Sequence, residues 1–96
     1  MPMSKHYRIK QTSAFKRDLK RMIRQGHDLS ELAHVVDTLA AGKKLDEKYV
    51  DHPLSNNWKG FRDCHIRPDW VLIYKLEEDV LILTLTRTGS HAELGL

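Results

Sequence analysis

The side chains in this chain that could do chemistry gather in one stretch, DHPLSNNWKGFRDCHIRPDWVLIY, residues 51–74. It holds His52, Asp63, His65 and Asp69, which can take up, release or orient protons. Trp58, Phe61 and Trp70 lie among them, interleaved with Lys59, Arg62 and Arg67. Acid/base groups, cations and aromatic faces in one short segment are what holding and cutting a single-stranded nucleic acid requires. His91 lies past the apolar run that follows and can join the group.

Cutting RNA without a metal needs three roles. A base takes the proton of the 2′-OH, an acid protonates the leaving 5′-oxygen, and a cation steadies the charged phosphorane. Histidines fill the first two roles here, and Arg87, Arg62 or Lys59 the third. Asp63 and Asp69 could orient an imidazole or share in proton transfer. Trp58, Phe61 or Trp70 could stack on bases. The rival chemistry is a zinc or manganese site built from His52, His65, His91 and the two aspartates. No H-x-x-x-H, H-x-H or C-x-x-C spacing supports it, so metal-free acid/base chemistry is favoured. Catalysis by Cys64 is disfavoured because that residue reads as buried. The five glycines stand singly, so no phosphate loop is present.

A chain of 96 residues allows one domain. With 16 Lys and Arg against 13 Asp and Glu the net charge is +3, which suits a polyanionic partner without demanding one. The single cysteine forbids an internal disulfide and points to a reducing compartment. MPMSKHYRIK has no apolar leader region, and WVLIY and VLIL are far too short to span a bilayer, so a soluble, cytoplasmic protein is expected.

The positioning elements follow from periodicity. His6 to Lys10 reads as an edge strand burying Tyr7 and Ile9. Thr12 or Ser13 caps a helix whose apolar face is Phe15, Leu19, Met22 and Ile23, ending at Gly26. Its other face carries Lys16, Arg17, Lys20, Arg21 and Arg24, opposed only by Asp18. That face is either simply solvated or a phosphate-contacting stripe. Asp28 and Glu31 suggest a capping box for a second helix with Leu29, Leu32, Ala33, Val36 and Ala40 inward, ending at Gly42. His6, His27 and His34 read as solvent-facing. Residues 43–57 form a long aperiodic loop in which Pro53 holds His52 extended. Lys59 to Ile66 reads as a strand with Asp63 and His65 on one face and Cys64 and Ile66 on the other. Trp70 to Leu76 and Val80 to Arg87 complete an antiparallel meander, with Arg87 sharing a face with Leu81, Leu83 and Leu85 but emerging at the strand's end. The fold class is α+β: an N-terminal strand and a helical hairpin on a small, mainly antiparallel sheet.

DHPL, WKGFRDCH, PDWVLIYKL and RTGSH together resemble the YafQ branch of the RelE/ParE toxin superfamily, toxin halves of bacterial type II toxin–antitoxin modules. The resemblance runs from the first strand to the tail. It implies a RelE-like, microbial-RNase-like fold and a ribosome-dependent, metal-free mRNA endonuclease acting by 2′-OH attack. It places functional histidines at His52, His65 and His91, aspartates at Asp63 and Asp69, an aromatic at Trp70 and an arginine at Arg87. His91 is the expected proton-transfer residue, with Asp69 or His52 as counterpart. It also implies a DinJ-like antitoxin, the ribosome as partner, operator DNA bound only through the antitoxin complex, and no membrane. The basic helix Phe15–Arg24 would face ribosomal RNA or an acidic antitoxin. One departure is plain: the family's aromatic after the tail histidine is missing, since His91 precedes Ala-Glu-Leu-Gly-Leu. Two other readings keep the architecture: a ParE-like gyrase inhibitor acting by protein contact, and a non-catalytic basic RNA-binding module.

Overall fold

The computed structural model describes residues 6–96. The expectation about a leader in MPMSKHYRIK rests mainly on residues 1–5, which lie outside the described residues. The elements run β1 (Arg8–Gln11), α1 (Ser13–Arg24), α2 (Ser30–Ala40), β2 (His52–Pro53), β3 (Arg62–Arg67), β4 (Trp70–Glu77), β5 (Ile82–Gly89) and α3 (His91–Leu94). The strands form one sheet in the order β1-β5-β4-β3-β2. β1 runs parallel to β5, and every other pairing is antiparallel, so the α+β expectation and the meander both hold.

Thr12 starts α1 by accepting the Phe15 N–H at 2.9 Å on its hydroxyl. Gly26, at φ +83°, ends the helix in the left-handed region. The inward face is Phe15, Asp18 and Met22, with Leu19 half-buried, whereas Ile23, expected inside, is 55% exposed. α2 buries Leu32, Val35 and Leu39. Leu29, Val36 and Ala40 flank that core, but Ala33 faces out. The Asp28 capping box does not form. The Asp28 carboxylate instead accepts the Ser30 N–H (2.9 Å) and hydroxyl (2.6 Å), and Leu29 is the helix cap.

The two sheet faces are distinct. Cys64, Ile66, Trp70, Leu72, Tyr74, Leu83 and Leu85 pack beneath the helices with Phe15, Met22, Val35 and Leu39. On the other face Val71 and Ile73 meet Leu94, with Leu54, Trp58 and Phe61 around them. Tyr7 is buried as expected, but Ile9 is 41% exposed, because β1 lies at the sheet's margin. Val80 and Leu81 were expected in the last strand. They lie in the turn, with Leu81 at φ +54°, and pairing begins at Ile82.

Residues 43–57 are better ordered than their composition suggests. Leu45 and Tyr49 are buried anchors. Asp51 accepts the Tyr74 hydroxyl at 2.7 Å and lies 3.3 Å from Arg62 Nε, tying the loop to β3 and β4. His52 and Pro53 then pair with Asp63 and Arg62 as β2.

Candidate active site

His52 is fixed by its neighbours in the chain. Pro53 favours an extended residue before it, and β2 is extended against β3. Val50 sits at φ +50°, turning its carbonyl so that His52 Nδ1 lies 2.8 Å from it. His52 Nε2 lies 3.0 Å from Asp63 Oδ1, which is ion-pair distance without good hydrogen-bond geometry. Period two along β3 puts Asp63 and His65 on one face, opposite Ile73 and Val71 of β4. The apolar cluster of Leu54, Trp58, Phe61 and Leu94 packed on Val71 and Ile73 lies on this same face.

His91 arrives from the tail. Ser90 caps α3 in a reciprocal capping box with Glu93, so His91 is the helix's first residue. The motif S-H-A-E carries that signal in the sequence. His91 Nδ1 lies 2.9 Å from Asp69 Oδ1, which also accepts the His91 backbone N–H at 3.3 Å. With Nδ1 protonated toward the carboxylate, Nε2 is the nitrogen left for chemistry. The His65 ring lies between the other two, 6.3 Å from the His52 ring centroid and 5.2 Å from that of His91. Among the described residues no hydrogen bond holds the His65 side chain.

The carboxylates differ. Burial pushes the Asp63 carboxyl above the usual range, against the pull of His52, His65 and His91. Hydrogen bonds from the His91 ring and backbone hold the exposed Asp69 carboxyl below it. Asp63 therefore binds its proton more readily than Asp69 does.

Arg87 reaches this face through a β-bulge. Tyr74 pairs with Leu85 and Ile73 with Arg87, so Thr86 is an extra residue. The bulge moves Arg87 off the leucine face, where simple alternation placed it, onto the face of Ile73, Asp63 and His65. Its guanidinium lies against buried Asp18: Nε donates to Oδ2 at 2.6 Å and Nη2 to Oδ1 at 3.1 Å.

The remaining candidates scatter. Trp70 is 4% exposed beneath the helices, and its Nε1–H donates to Thr88 Oγ1 at 2.8 Å. It has no open face for a base, which corrects the expected stacking role; the strand buries it because position 70 faces the helices. Arg62 pairs with Tyr74 on that same helix-side face and binds Asp51, so it is not the cation of the histidine cluster. Lys59 is exposed after the 3-10 turn that leads to Phe61. Lys16, Arg17, Lys20 and Arg24 are exposed on α1, but Arg21 is drawn out of that stripe by Asp18 and Glu93. Cys64 is fully buried, and burial raises its thiol pKa, so it offers no thiolate. Asp18, Asp51 and Tyr74 were not recognised from the sequence as supports of the site.

Among the described residues no three His, Cys, Asp or Glu side chains converge to hold a metal ion. No described helix is long and apolar enough to cross a membrane. Residues 7–95 match the family model described as the bacterial toxin of type II toxin–antitoxin system, YafQ. An mRNA interferase toxin YafQ of Escherichia coli is 39% identical over 87 residues, covering 90% of this chain and 92% of its own. The E. coli DinJ–YafQ complex has a chain 38% identical with a TM-score of 0.85, covering 93% of this chain and 98% of its own. A metal-bound toxin from Helicobacter pylori is 42% identical with a TM-score of 0.86, covering 92% of this chain and 98% of its own.

Proposed function

The chain belongs to the YafQ family of bacterial type II toxins, and from that premise we propose that the face carrying His52, Asp63, His65, Arg87 and His91 is where it cuts mRNA. It is the toxin of a toxin–antitoxin module and an endoribonuclease of the mRNA interferase class. The observation that carries the site is the row of three histidine rings, 6.3 and 5.2 Å apart, over one buried carboxylate.

The histidines divide by their partners. His52 is engaged on both sides, with Val50 O 2.8 Å from Nδ1 and Asp63 Oδ1 3.0 Å from Nε2. It serves to hold and orient the site beside Asp63. His91 and His65 keep nitrogens free and act as the proton-transfer pair. One takes the 2′-OH proton as the O2′–P bond forms. The other protonates the 5′-oxygen as the P–O5′ bond breaks. The products are a 2′,3′-cyclic phosphate end and a 5′-hydroxyl. Arg87 donates to the non-bridging oxygens as charge builds on phosphorus. No step uses a metal.

The message is presented in the decoding site of the ribosome, with the exposed Lys16, Arg17, Lys20 and Arg24 stripe toward ribosomal RNA and Lys59 near the message. The cognate partner is a DinJ-like antitoxin that folds on binding, and operator DNA is met only through that complex. The whole works as one domain in the bacterial cytoplasm, with no membrane step. Mapping mRNA 5′ ends by primer extension after induction tests the proposal. In-frame cuts with wild type and none with His91→Ala are expected. Growth arrest without cuts would overturn it.

A further inference from the structure

β5 outruns its neighbour. β1 pairs with it only as far as Gln11 opposite Leu85, and the Thr12 N–H makes the last backbone bond to Leu85 O at 3.1 Å. Beyond that point side chains of α1 replace the missing strand. The Thr12 hydroxyl donates to Thr86 O (2.7 Å), the Thr88 N–H donates to Asp18 Oδ2 (3.1 Å), and Arg21 Nη2 donates to Thr88 O (3.2 Å). The bulge at Thr86, which turns Arg87 onto the histidine face, is thus pinned on both sides.

Asp18 does more than cap an edge. It is 2% exposed and accepts four bonds: from Arg87 Nε and Nη2, from the Thr88 N–H, and from Arg21 Nη1 at 3.1 Å. Burial alone would raise its pKa, but those donors outweigh burial and leave the carboxyl below the usual range. Arg87 is held charged in return, chiefly by its bonds to Asp18. Asp18 grips the guanidinium along its Nε–Nη2 side. Among the described residues Nη1 has no hydrogen-bond partner, and 30% of the Arg87 side chain stays exposed.

We infer that Asp18 is a positioning residue for RNA cleavage: it fixes the bulge and clamps Arg87 side-on, so that the free Nη1 edge is presented to the scissile phosphate. The inference rests on Arg87 acting as proposed above. A carboxylate touching the catalytic cation partly cancels its long-range pull, so what it contributes is direction. A mobile arginine must be ordered at the moment charge develops, and a clamped one is already in place.

The test is a double-mutant cycle on mRNA-programmed ribosomes, read as single-turnover cleavage at saturating toxin, with thermal melts of each variant. Asp18→Asn removes one charge-assisted bond set and should slow cleavage about 10- to 100-fold, with apparent affinity changed by less than about threefold. In an Arg87→Ala background the same change should slow cleavage no further. A purely structural Asp18 would give equal losses in both backgrounds, and that result overturns the inference. Should Asp18→Asn fail to fold, Arg87→Ala alone decides, because it keeps the carboxylate. Added guanidinium ion should then restore part of its activity by occupying Asp18, and no restoration overturns the clamp. An Arg87→Ala variant that cuts like wild type removes the cation from the mechanism. A wild type that never cuts removes the proposed function itself, so the two failures are distinguishable.

Discussion

His52 and Asp63 face each other across β2 and β3, with Nε2 3.0 Å from Oδ1, yet one partner is half-open to water and the other nearly shut off from it. The pairing is therefore asymmetric. Asp63 bears the desolvation, which outweighs the pull of the neighbouring histidines and raises its carboxyl.

That asymmetry predicts a pH dependence. Burial raises the Asp63 carboxyl above its unfolded value, so the folded chain binds its proton more tightly than the unfolded chain does. Stability tied to this group is then intact below the unfolded pKa and is lost as pH rises through the folded one. Asp63→Asn carries no such charge. Its melting temperature relative to wild type should climb with pH, reaching parity or a gain of roughly 5 °C at pH 8. Cleavage should fall at least about tenfold as His52 loses its anion. Melts across pH 3.5–8 decide it. A variant that melts far below wild type at pH 8 would show Asp63 to be a net stabiliser.

Trp70 gives a prediction opposite to that for a base-stacking residue. Its Nε1–H donates to Thr88 Oγ1, which in turn donates to Val71 O at 2.9 Å. Trp70→Phe breaks that chain inside the core and should cost about 1–2 kcal/mol, lowering Tm by roughly 5–10 °C. Well below that temperature the cut sites on mRNA should be unchanged. Altered cut sites with an unchanged Tm would restore the stacking role.

What was legible in the sequence was the part governed by simple periods. Alternation along β3 put Asp63 and His65 together, and Pro53 made His52 extended. Arg87 was placed on the wrong face because a bulge inserts one residue and inverts parity without changing composition, and Thr86 looks like any strand threonine. Asp18 was readable in principle: Phe15, Asp18 and Met22 follow three-then-four spacing, the period of one helix face. Leu19 and Ile23, being more apolar, draw the expected face one residue round, and Asp18 then reads as a lone acid among surface cations. In α2 the same one-residue drift passed over Val35 and Leu39.

Tyr74 and Asp51 hold the approach to His52. The Tyr74 hydroxyl donates to Asp51 Oδ1 at 2.7 Å, and burial raises the phenol's pKa, so it remains a donor at any working pH. Tyr74→Phe keeps the ring and removes the donor. It should cost about 0.5–1.5 kcal/mol and speed amide exchange in residues 45–53 more than in β4 or β5. Cleavage should drop several-fold through a looser His52. Uniform exchange across the sheet would show that the hydroxyl supports the whole fold and not this loop.

The tail is held by the same network that holds Arg87. Arg21 Nε lies 2.9 Å from Glu93 Oε2, and Glu93 Oε1 accepts the Ser90 N–H at 2.8 Å, so the clamp closes over Gly89. Gly89 sits at φ +153°, and a Cβ there would meet Arg21 Nη2 at 2.8 Å and Glu93 Oε1 at 2.9 Å. Gly89→Ala therefore adds backbone strain and pushes the two partners apart, for about 1–3 kcal/mol in all. It should also reduce cleavage more than stability, since His91 follows two residues later on α3. Glu93→Ala alone removes a half-exposed ion pair and one side of a cap, about 0.5–1.5 kcal/mol. Because it vacates the space a Cβ needs, the double variant should lose less stability than the two single losses added together. Strict additivity in thermal melts would mean that the cost at Gly89 is backbone strain alone and that the clamp plays no part in seating His91.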